Sequence, residues 1–515
     1  MAQIVYRGNL ANDDFPLLSA FKGQTVIVGR IDQDYELDVK STQKLQREKQ
    51  IPQLYYCHNV IPTGHGYQSI GFNAKIAPIA QVDFNDGFVL RDMSENKFLY
   101  SPAGGKNYVF DQNVGNWVSR NPIAAAGLLV TVSYLNGETY IFYQKVGCFR
   151  YDRATTSMVP VVLTGLVVAN INGICAAQGF LVAWDDNNTV YRSQAANPLN
   201  FTPDPSLGSG SGIPQDIRGK IVVILPIAGG YLVYTTANVV AGVFQQNIRY
   251  PFIYREVSGS AGIKSPNHVS WQDNLGDHYA WTTIGLQQLD KSKSTAVFPD
   301  VSDFLTIKIF EDYDTATDIF TVTQLGNQLD LHVTTIGARF VVISYGVAAG
   351  IYTHALLFDL ALKRWGKIKF THVDCFSYGN PNLVGVTTFE TPKDIVAFLQ
   401  NDGTIKTVNF DLVHTNDSGV IVLGKFQFVR ERWLELEMIE FENIDQAYNF
   451  SIRILQSYDG KNIDKVTKDP TILKSTGQFR RWGTHGVVGK NISIVGVGTF
   501  HLTTDILTFT VGGKR

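Results

Sequence analysis

Short apolar runs separated by turn residues dominate the chain between residues 76 and 414. The runs are rich in Val, Ile, Phe and Tyr, and pairs or triplets of Gly, Asn and Asp follow them. Turn signals of this kind are Asn136-Gly137, Gly229-Gly230 and Asn401-Asp402-Gly403. Runs of β-branched and aromatic residues bounded by such turns are typical of strands joined as hairpins. The pattern therefore predicts an all-β protein built from antiparallel strands.

An aromatic residue followed by Asp, with a large apolar residue six positions after the Asp, recurs along the chain. The three copies are Phe110-Asp111…Trp117, Tyr151-Asp152…Met158 and Phe358-Asp359…Trp365. The first two copies lie about 41 residues apart, and four-stranded propeller blades repeat at about 40–45 residues. We predict that each Asp accepts hydrogen bonds from its own turn, and that the bulky residue packs between neighbouring sheets. The predicted structural residues of the blade turns are Asp111, Trp117, Asp152, Asp359 and Trp365.

The pattern divides the chain into three regions. We predict an irregular N-terminal segment with a short helix at residues 1–75, a six- or seven-bladed β-propeller at 76–414, and a C-terminal β-sandwich at 415–515. The helix is expected over residues 38–50, where polar and basic residues are frequent. Irregular spacing of the later turns predicts an insertion near residues 300–318.

Three stretches carry more specific predictions. Residues 154–184 contain no charged side chain, but their Pro, Gly and Asn residues favour two buried strands with a turn at Asn172-Gly173 over a membrane helix. Residues 203–214, rich in Gly, Ser and Pro, are predicted to form a long flexible loop. In the C-terminal region the alternation of apolar and acidic residues changes phase near Met438, which predicts a β-bulge there.

Composition and charge narrow the function classes. The chain has 515 residues, 44% of them hydrophobic, which is enough to fill a core and argues against disorder. Its 44 Lys and Arg residues nearly balance its 46 Asp and Glu residues, so a strongly basic nucleic-acid or membrane surface is not expected. The N-terminus has no basic-then-apolar signal pattern, so secretion by that route is not expected.

The four cysteines share no C-x-x-C spacing. Cys57, Cys148, Cys175 and Cys375 are therefore predicted to be buried free thiols of a protein made in a reducing compartment.

Motifs for catalysis are weak. The histidines show no H-E-x-x-H spacing, and the GSGSG run at 208–212 lacks the central Ser of a nucleophile elbow. In THVDC (371–375), His372 and Asp374 are expected to lie on one face of a strand. We interpret them as a pair that satisfies each other's hydrogen bonds rather than as a zinc site. Asp185 and Asp186 are assigned to a turn instead of a glycosidase carboxylate pair, and Asp459 is treated likewise. We therefore predict that the protein is not an enzyme and has no catalytic residue, metal or cofactor.

Several phrases resemble one family, the tail-hub or nozzle β-propeller proteins of short-tailed bacteriophages, which complete the head and stabilise the packaged DNA. The phrases are QGFLVAWDDNNTVYRSQAANPLNF (178–201), GGYLVYTTANVVAGVF (229–244), YREVSGSAGIKSPNHVSWQDN (254–274), YCHNVIPTGHGYQSIGF (56–72), SYDGKNIDKV (457–466) and FRRWGTHG (479–486). Together they cover most of residues 56–510.

The resemblance implies a structural protein of the virion tail, synthesised in the cytoplasm of the host bacterium. It implies a homo-oligomeric ring, a hexamer, below the portal-adaptor protein and in contact with a tail fibre, spike or needle protein. Such a ring retains the genome and conducts double-stranded DNA during ejection, with transient and non-specific contacts. A near-neutral surface suits this role, because each neutralised phosphate adds salt-sensitive affinity.

Two questions stay open at this stage. Glu435 and Glu437 either contribute to an acidic lumen or interface, or lie on an ordinary solvated edge strand. The alternative function is a carbohydrate-binding or glycoside-hydrolysing propeller, which predicts a monomer that binds a sugar at the propeller axis.

Overall fold

The computed structural model of the chain shows an all-β protein. It describes residues 2–9, 25–28, 56–63, 66–76, 84, 87–91, 97–103, 106–111, 116–122, 129–152, 155, 157–270, 276–297, 309–314, 319–324, 330–337, 339–346, 348, 350–362, 364–378, 395–409, 419–428, 434–443, 449–457, 465–466, 471–474, 479–489 and 491–511. These residues contain strands and three short 3₁₀ turns but no α-helix. Within the same residues, no helix has the length and apolar character needed to cross a bilayer.

The strands before and within the first four sheets are β1 (Ala2–Asn9), β2 (Thr25–Val28), β3 (Tyr56–His58), β4 (Val60–Thr63), β5 (Gly66–Ser69), β6 (Gly71–Ile76), β7 (Phe88–Arg91), β8 (Lys97–Ala103), β9 (Lys106–Asp111), β10 (Asn116–Pro122), β11 (Val130–Leu135), β12 (Glu138–Tyr143), β13 (Gly147–Asp152), β14 (Ser157–Val161), β15 (Ile171–Ala177), β16 (Phe180–Asp185), β17 (Val190–Arg192), β18 (Gly210–Gly212), β19 (Ile221–Ile227), β20 (Gly230–Thr235), β21 (Val239–Phe244) and β22 (Phe252–Glu256). The 3₁₀ turns are η1 (Val168–Asn170), η2 (Pro205–Leu207) and η3 (Pro266–His268).

The later strands are β23 (His278–Thr282), β24 (Gly285–Leu289), β25 (Ser294–Ala296), β26 (Ile309–Asp314), β27 (Ile319–Gln324), β28 (Asp330–Ile336), β29 (Phe340–Gly346), β30 (Tyr352–Asp359), β31 (Arg364–His372), β32 (Asp374–Tyr378), β33 (Ile395–Leu399), β34 (Ile405–Asn409), β35 (Gly419–Phe428), β36 (Leu434–Asn443), β37 (Asn449–Ser457), β38 (Lys465–Val466), β39 (Thr471–Lys474), β40 (Phe479–Gly489), β41 (Asn491–Gly498) and β42 (His501–Val511).

Small antiparallel sheets follow one another along the chain, as the sequence predicted. Sheets 1 to 4 are formed by β7–β10, β11–β14, β15–β18 and β19–β22. Sheet 5 contains β23–β25, with a first strand reduced to the bridge between Val269 and Ala280. Sheet 6 begins with β28–β31, and sheet 7 is β32–β34 followed by β6.

These sheets are arranged in a closed ring. The first strand of one sheet contacts the first strand of the next in the pairs β11–β15, β15–β19, β28–β32 and β32–β7. The fourth strand of sheet 7 is β6, which precedes sheet 1 in the chain and pairs antiparallel with β34. Radially arranged meanders of this kind form a β-propeller, so the predicted fold class is confirmed. The described residues hold seven such sheets, while the predicted range of six or seven blades stays a prediction for the whole chain.

The core lies between the sheets. Both faces of a sheet pack against neighbours, so the second strands are continuous apolar runs such as Phe180–Asp185 and Gly230–Thr235, in which every residue is buried. Separate apolar clusters fill the spaces between adjacent sheets. A strand buried on both faces loses the polar alternation of a half-exposed strand, which explains the sequence pattern.

Because neighbouring strands in a sheet run in opposite directions, the connections alternate between two rims. The connections between strands 1 and 2 and between strands 3 and 4 lie at one end, here called the lower rim. The connections between strands 2 and 3, and the starts of the first strands, lie at the upper rim. At the lower rim, Asn136 and Gly137 have φ angles of 53° and 82° between paired residues Leu135 and Glu138, as a two-residue hairpin requires.

One predicted turn and one predicted flexible loop differ from the structure. Residues 171–185 do form two buried strands, but the turn is at Gln178-Gly179, and Asn172-Gly173 lies inside β15. Gly173 is required there for packing, because a Cβ atom would lie 2.4 Å from the ring of Trp184. The predicted flexible loop at 203–214 contains η2 and the paired strand β18.

The N-terminal residues differ from the irregular segment that we expected. In the described part, β1 pairs with β42 along its whole length and β2 pairs parallel with β35. These strands acquire order from distant partners, which local composition does not indicate. The predicted helix at 38–50 lies outside the described residues.

The C-terminal strands form two groups, one with β36, β40 and β42 and one with β35, β37 and β41. The predicted sandwich at 415–515 stays a prediction. Strand β36 shifts register between Leu436 and Met438 against both neighbours, which confirms the predicted bulge. A separate hairpin, β26–β27, lies between sheets 5 and 6, close to the expected insertion. All four cysteines are buried and free, as predicted.

Candidate functional site: the closure of the ring

Trp117 connects the first sheet to the last. Its indole Nε1 donates a hydrogen bond of 2.8 Å to the carbonyl of Gly403 in the turn between β33 and β34. Phe84 packs against Trp117 with ring centroids 5.1 Å apart, and the Phe84 N–H donates to the carbonyl of Asn401 at 2.8 Å. These contacts lie in the apolar cluster that sheets 1 and 7 share.

The aromatic-Asp repeat corresponds to one place in three sheets. Each aromatic residue is the cross-strand partner of the bulky residue after the Asp, in the pairs Phe110–Trp117, Tyr151–Met158 and Phe358–Trp365. The ring centroids of Phe358 and Trp365 are 4.8 Å apart. All three pairs lie in the hairpin of the third and fourth strands, at the lower rim. The repeat therefore encodes the register of this hairpin.

The three aspartates of the repeat differ in their surroundings. Asp359 is fully buried, and its Oδ1 accepts hydrogen bonds of 2.9 Å from the N–H groups of Ala361 and Leu362. Its Oδ2 lies 3.2 Å from Nε of Arg339. Asp152 accepts a 2.8 Å hydrogen bond from the hydroxyl of Thr155 at the surface. The side chain of Asp111 lies outside the described residues.

Asp374 lies where sheets 6, 7 and 1 meet at the upper rim. Its Oδ2 accepts a 2.7 Å hydrogen bond from the N–H of Gly87, just before β7, and its Oδ1 accepts one of 2.6 Å from the N–H of Cys375. Nδ1 of His332, on the first strand of sheet 6, lies 3.2 Å from Oδ1. One carboxyl thus contacts three consecutive sheets.

Burial sets the titration of this region. It raises the pKa of the Asp374 carboxyl to about 7, an effect that the hydrogen bonds from Gly87 and Cys375 only partly oppose. It lowers the pKa of His268 in η3 to about 4 and that of His372 to about 3. Nε2 of His372 makes a 2.7 Å hydrogen bond with the hydroxyl of Ser344.

Asp374, His332 and Thr334 form a chain that superficially matches a nucleophile triad. Nε2 of His332 lies 3.4 Å from the Thr334 hydroxyl, which is long for the bond that a general base needs. Thr334 is itself buried, with 8% of its surface exposed. The raised pKa of Asp374 also weakens its ability to stabilise an imidazolium. The arrangement is suited to holding sheets together.

The expected His372–Asp374 pair on one strand face was wrong. His372 ends β31 in sheet 6, and Asp374 begins β32 in sheet 7. No group of three or more His, Cys, Asp or Glu side chains in the described part of the chain is arranged to hold a metal ion. Asp185 accepts hydrogen bonds of 2.9 Å from the N–H groups of Asn187 and Thr189, which places it in a turn as predicted. Asp459 lies outside the described residues.

Residues 56–76, here called the clasp, join four parts of the molecule. β3 pairs with β35 of the C-terminal region, and β4 contacts β31 of sheet 6 through Val60 and Lys367. β5 pairs with β42, and β6 completes sheet 7. Sheet 6 therefore continues through β4 and β5 into the C-terminal strands as one sheet.

Buried hydrogen bonds fix the clasp. Asn59, in the left-handed region with φ of 52°, accepts from the N–H of Lys369 at 2.9 Å through its side chain and from the N–H of Ile70 through its carbonyl. Ser69 is fully buried, and its N–H and hydroxyl bond the backbone carbonyl and N–H of Phe500 at 2.9 Å. Burial raises the pKa of the Cys57 thiol in β3 to about 12, although nearby Lys367 lowers it.

Glu435 and Glu437 lie in β36, which pairs with β40 on one side and β42 on the other. An edge strand, one of the two alternatives for these residues, is therefore wrong. Glu437 falls at the bulge between Leu436 and Met438. The side chains of both glutamates lie outside the described residues, so their place in a lumen or interface stays a prediction.

The sequence did not single out His332, Asn59 or Ser69 as contacts between remote segments, and it indicated Gly87 only as part of a turn signal, Asn85-Asp86-Gly87. Each acts through a partner that is distant in the chain, and a single sequence carries little signal for such pairs. An Asn before a β-branched run at residues 59–61 is the one local sign, since Asn tolerates a positive φ angle.

No protein-family model matches the chain, and no curated protein matches it. Among solved structures, the WD40 β-propeller domain of Doa1 is 10% identical, covering 67% of this chain and 98% of that domain, with a TM-score of 0.39. The extracellular domain of a putative one-component system from B. thetaiotaomicron is 12% identical, covering 86% and 60%, with a TM-score of 0.41. Virginiamycin B lyase from Staphylococcus aureus is 9% identical, covering 66% and 99%, with a TM-score of 0.38. The assignment of the ring rests on the sheet order and register given above.

Proposed function

We propose that the chain is a structural protein of a bacteriophage tail, a hub or nozzle subunit that retains the packaged genome and conducts DNA during ejection. The observation that carries the proposal is the clasp. It closes the propeller and pairs with the C-terminal strands, so that the two regions form one hydrogen-bonded body. Such cross-connection suits a subunit that bears load in a conduit, because the two regions then resist separation together.

The hole of a single propeller does not suit duplex DNA. Seven sheets spaced about 10 Å apart place the first strands on a circle roughly 22 Å across, and the strands themselves fill about 5 Å on each side. This leaves roughly 12 Å at most, about the width of the major groove alone. The conduit therefore lies between copies of the chain, arranged as a ring, with the hexamer implied by the family resemblance.

The charge of the chain supports the same role. With a formal net charge of −2, the chain lacks the excess of cations that would grip phosphates along the whole path. A conduit that must release its DNA gains from weak contacts. The proposed partners are the portal-adaptor protein on one side and a tail fibre, spike or needle protein on the other, within the virion.

Measurement of the native mass, combined with negative-stain imaging of the full-length protein, tests the proposal. A ring of several copies with an opening wide enough for duplex DNA is the expected result, either alone or after addition of the portal-adaptor protein. A persistent monomer under both conditions, with a thermal shift on addition of sugars, contradicts it and favours a glycan-binding propeller.

A further inference from the structure

A loop at the lower rim of sheet 4 presents apolar and basic side chains together. The loop, residues 245–251, joins β21 to β22, and its segment Asn247–Tyr250 is exposed. Tyr250 is 70% exposed and Ile248 is 47% exposed. Arg249 and Arg255 are also exposed, and in the described part of the chain no carboxylate forms an ion pair with either.

The loop is a built surface with a fixed shape. The N–H of Gln245 donates to the carbonyl of Pro251 at 2.8 Å, and the N–H of Arg249 donates to the Asn247 side chain at 3.1 Å. Leu207 in η2 and Ile253 in β22 extend the apolar area, and both are exposed. We call Leu207, residues 245–251, Ile253 and Arg255 the basic loop surface. Exposed Tyr and Arg beside aliphatic groups are typical of protein–protein contacts.

A second feature of the same chain has the complementary chemistry. The hairpin of β26 and β27, here called the acidic hairpin, belongs to no larger sheet among the described residues. Residues 309–324 contain Glu311, Asp312, Asp314 and Asp318, no Lys or Arg, and the apolar residues Ile309, Phe310, Tyr313, Ile319 and Phe320. A two-stranded hairpin alone is marginally stable in water, so a partner surface would stabilise it.

We propose that the acidic hairpin of one copy docks on the basic loop surface of the next copy. The occupant is a second copy of this chain because the hairpin offers both the carboxylates that match Arg249 and Arg255 and the apolar residues that match Ile248 and Tyr250. A phosphate backbone would use the arginines but leave the aliphatic groups uncovered. This inference rests on the proposed function and identifies the contact between its subunits.

The two surfaces belong to different parts of the chain. The basic loop surface is at the lower rim of sheets 3 and 4, while the acidic hairpin lies in the chain between sheet 5 and sheet 6. A contact between two different surfaces is head-to-tail, and head-to-tail contacts generate closed rings when the rotation closes and open filaments when it does not. The contact is therefore of the kind that a ring requires, and it differs from the contact of an isolated two-fold dimer.

Charge reversal in the full-length chain tests the contact. Arg249→Glu in one variant, and Asp312→Lys with Asp314→Lys on one face of β26 in another, are each expected to weaken self-association at least about tenfold, because like charges then face each other. The variant that combines all three substitutions is expected to regain assembly. Sedimentation velocity and native mass measurement give the readout. Lys220→Glu, at an exposed upper-rim position, is the matched control and is expected to assemble as the wild type does.

The outcomes separate this contact from the function. If the wild type assembles and neither charge reversal changes the mass of the assembly, the proposed contact is wrong, but the proposed ring is not contradicted. If Arg249→Glu leaves the mass unchanged but weakens binding to double-stranded DNA in a mobility-shift assay, the surface binds phosphates and the contact is overturned. If the wild type is monomeric at every concentration, the contact is also overturned, and imaging with the portal-adaptor protein decides the ring separately. Tyr250→Ala, which changes no charge, is expected to weaken assembly as well and serves as the readout if Arg249→Glu does not fold.

Discussion

The indole N–H of Trp117 donates a hydrogen bond of 2.8 Å to the carbonyl of Gly403, which lies 286 residues later in the chain and in the last sheet of the ring. The two ends of the propeller are thus joined by a side chain as well as by the strand β6. The bond is buried, so its loss leaves a carbonyl without a partner.

Trp117→Phe is expected to destabilise the protein by about 1–3 kcal/mol beyond the loss of ring volume, because a buried carbonyl loses its donor. Trp184→Phe is the matched control, since its indole N–H is buried and forms no hydrogen bond within the described residues. Urea unfolding measures both variants. Equal losses for the two would mean that the bond to Gly403 contributes nothing.

Asp359→Ala is expected to lower the free energy of unfolding by about 1–3 kcal/mol, because the N–H groups of Ala361 and Leu362 lose the buried carboxylate that accepts their hydrogen bonds. Asp359→Asn keeps one carbonyl oxygen and is expected to recover part of the loss. Asp152→Ala, at the equivalent place in sheet 2, is expected to cost less, since its bond to Thr155 is exposed. A larger effect at Asp152 than at Asp359 would contradict the burial argument.

Gly366→Ala is expected to detach the clasp from sheet 6, because a Cβ atom at this position would lie 2.6 Å from the carbonyl oxygen of Val60. Limited proteolysis should then cleave within residues 56–76 sooner than in the wild type. Gly212→Ala is the control, since a Cβ atom there meets no atom within 4 Å. The same cleavage pattern in both variants would show that the close approach is not required.

Asp374→Asn is expected to change how stability depends on pH. Burial raises the pKa of Asp374 from its ordinary value to about 7, so the folded state holds this proton more tightly than the unfolded state. Its contribution is present below about pH 4 and is lost as pH rises to about 7, a difference of the order of 4 kcal/mol. The stability of the variant relative to the wild type should therefore increase between pH 4 and pH 8.

The opposite trend is expected from the buried histidines. Burial lowers the pKa of His268, His278 and His372 to about 4, 4 and 3, so each favours folding at neutral pH and loses its contribution as pH falls. His332 faces Asp374, with its Nδ1 3.2 Å from the carboxyl. Thermal melts of the wild type and of Asp374→Asn across this range separate the two effects. A difference between them that does not vary with pH would show that Asp374 is ionised throughout.

The structural features that could be predicted from the sequence were those that depend on residues close together in the chain. The hairpin at Asn136-Gly137 and the bulge near Met438 depend on neighbours in the chain, and both could be predicted. The repeat around Asp359 could be found because its aromatic and bulky residues pair across one hairpin. The turn predicted at Asn172-Gly173 was wrong. Gly173 is required because the ring of Trp184 packs against it, and not because the backbone turns there.

Contacts between segments that are far apart in the chain could not be predicted from the sequence. The pairing of β5 with β42 and the position of His332 beside Asp374 depend on the order of the sheets around the ring. The first strand β1 reads as part of an irregular segment until its partner β42 is known. Composition and periodicity describe a strand, and they do not indicate which strand lies next to it.

The clasp has a consequence for the synthesis of the protein. Its strands emerge from the ribosome early, yet β5 pairs with His501 and Leu502. The roughly 430 residues between them take on the order of 20 to 90 s to translate at about 5–20 residues per second. During this interval the early strands have unpaired edges, a state that favours aggregation and recruits chaperones. Completion of the last strand therefore allows β5 to pair, whereas the ring itself needs only β34, so a chain truncated before β34 would leave the ring open.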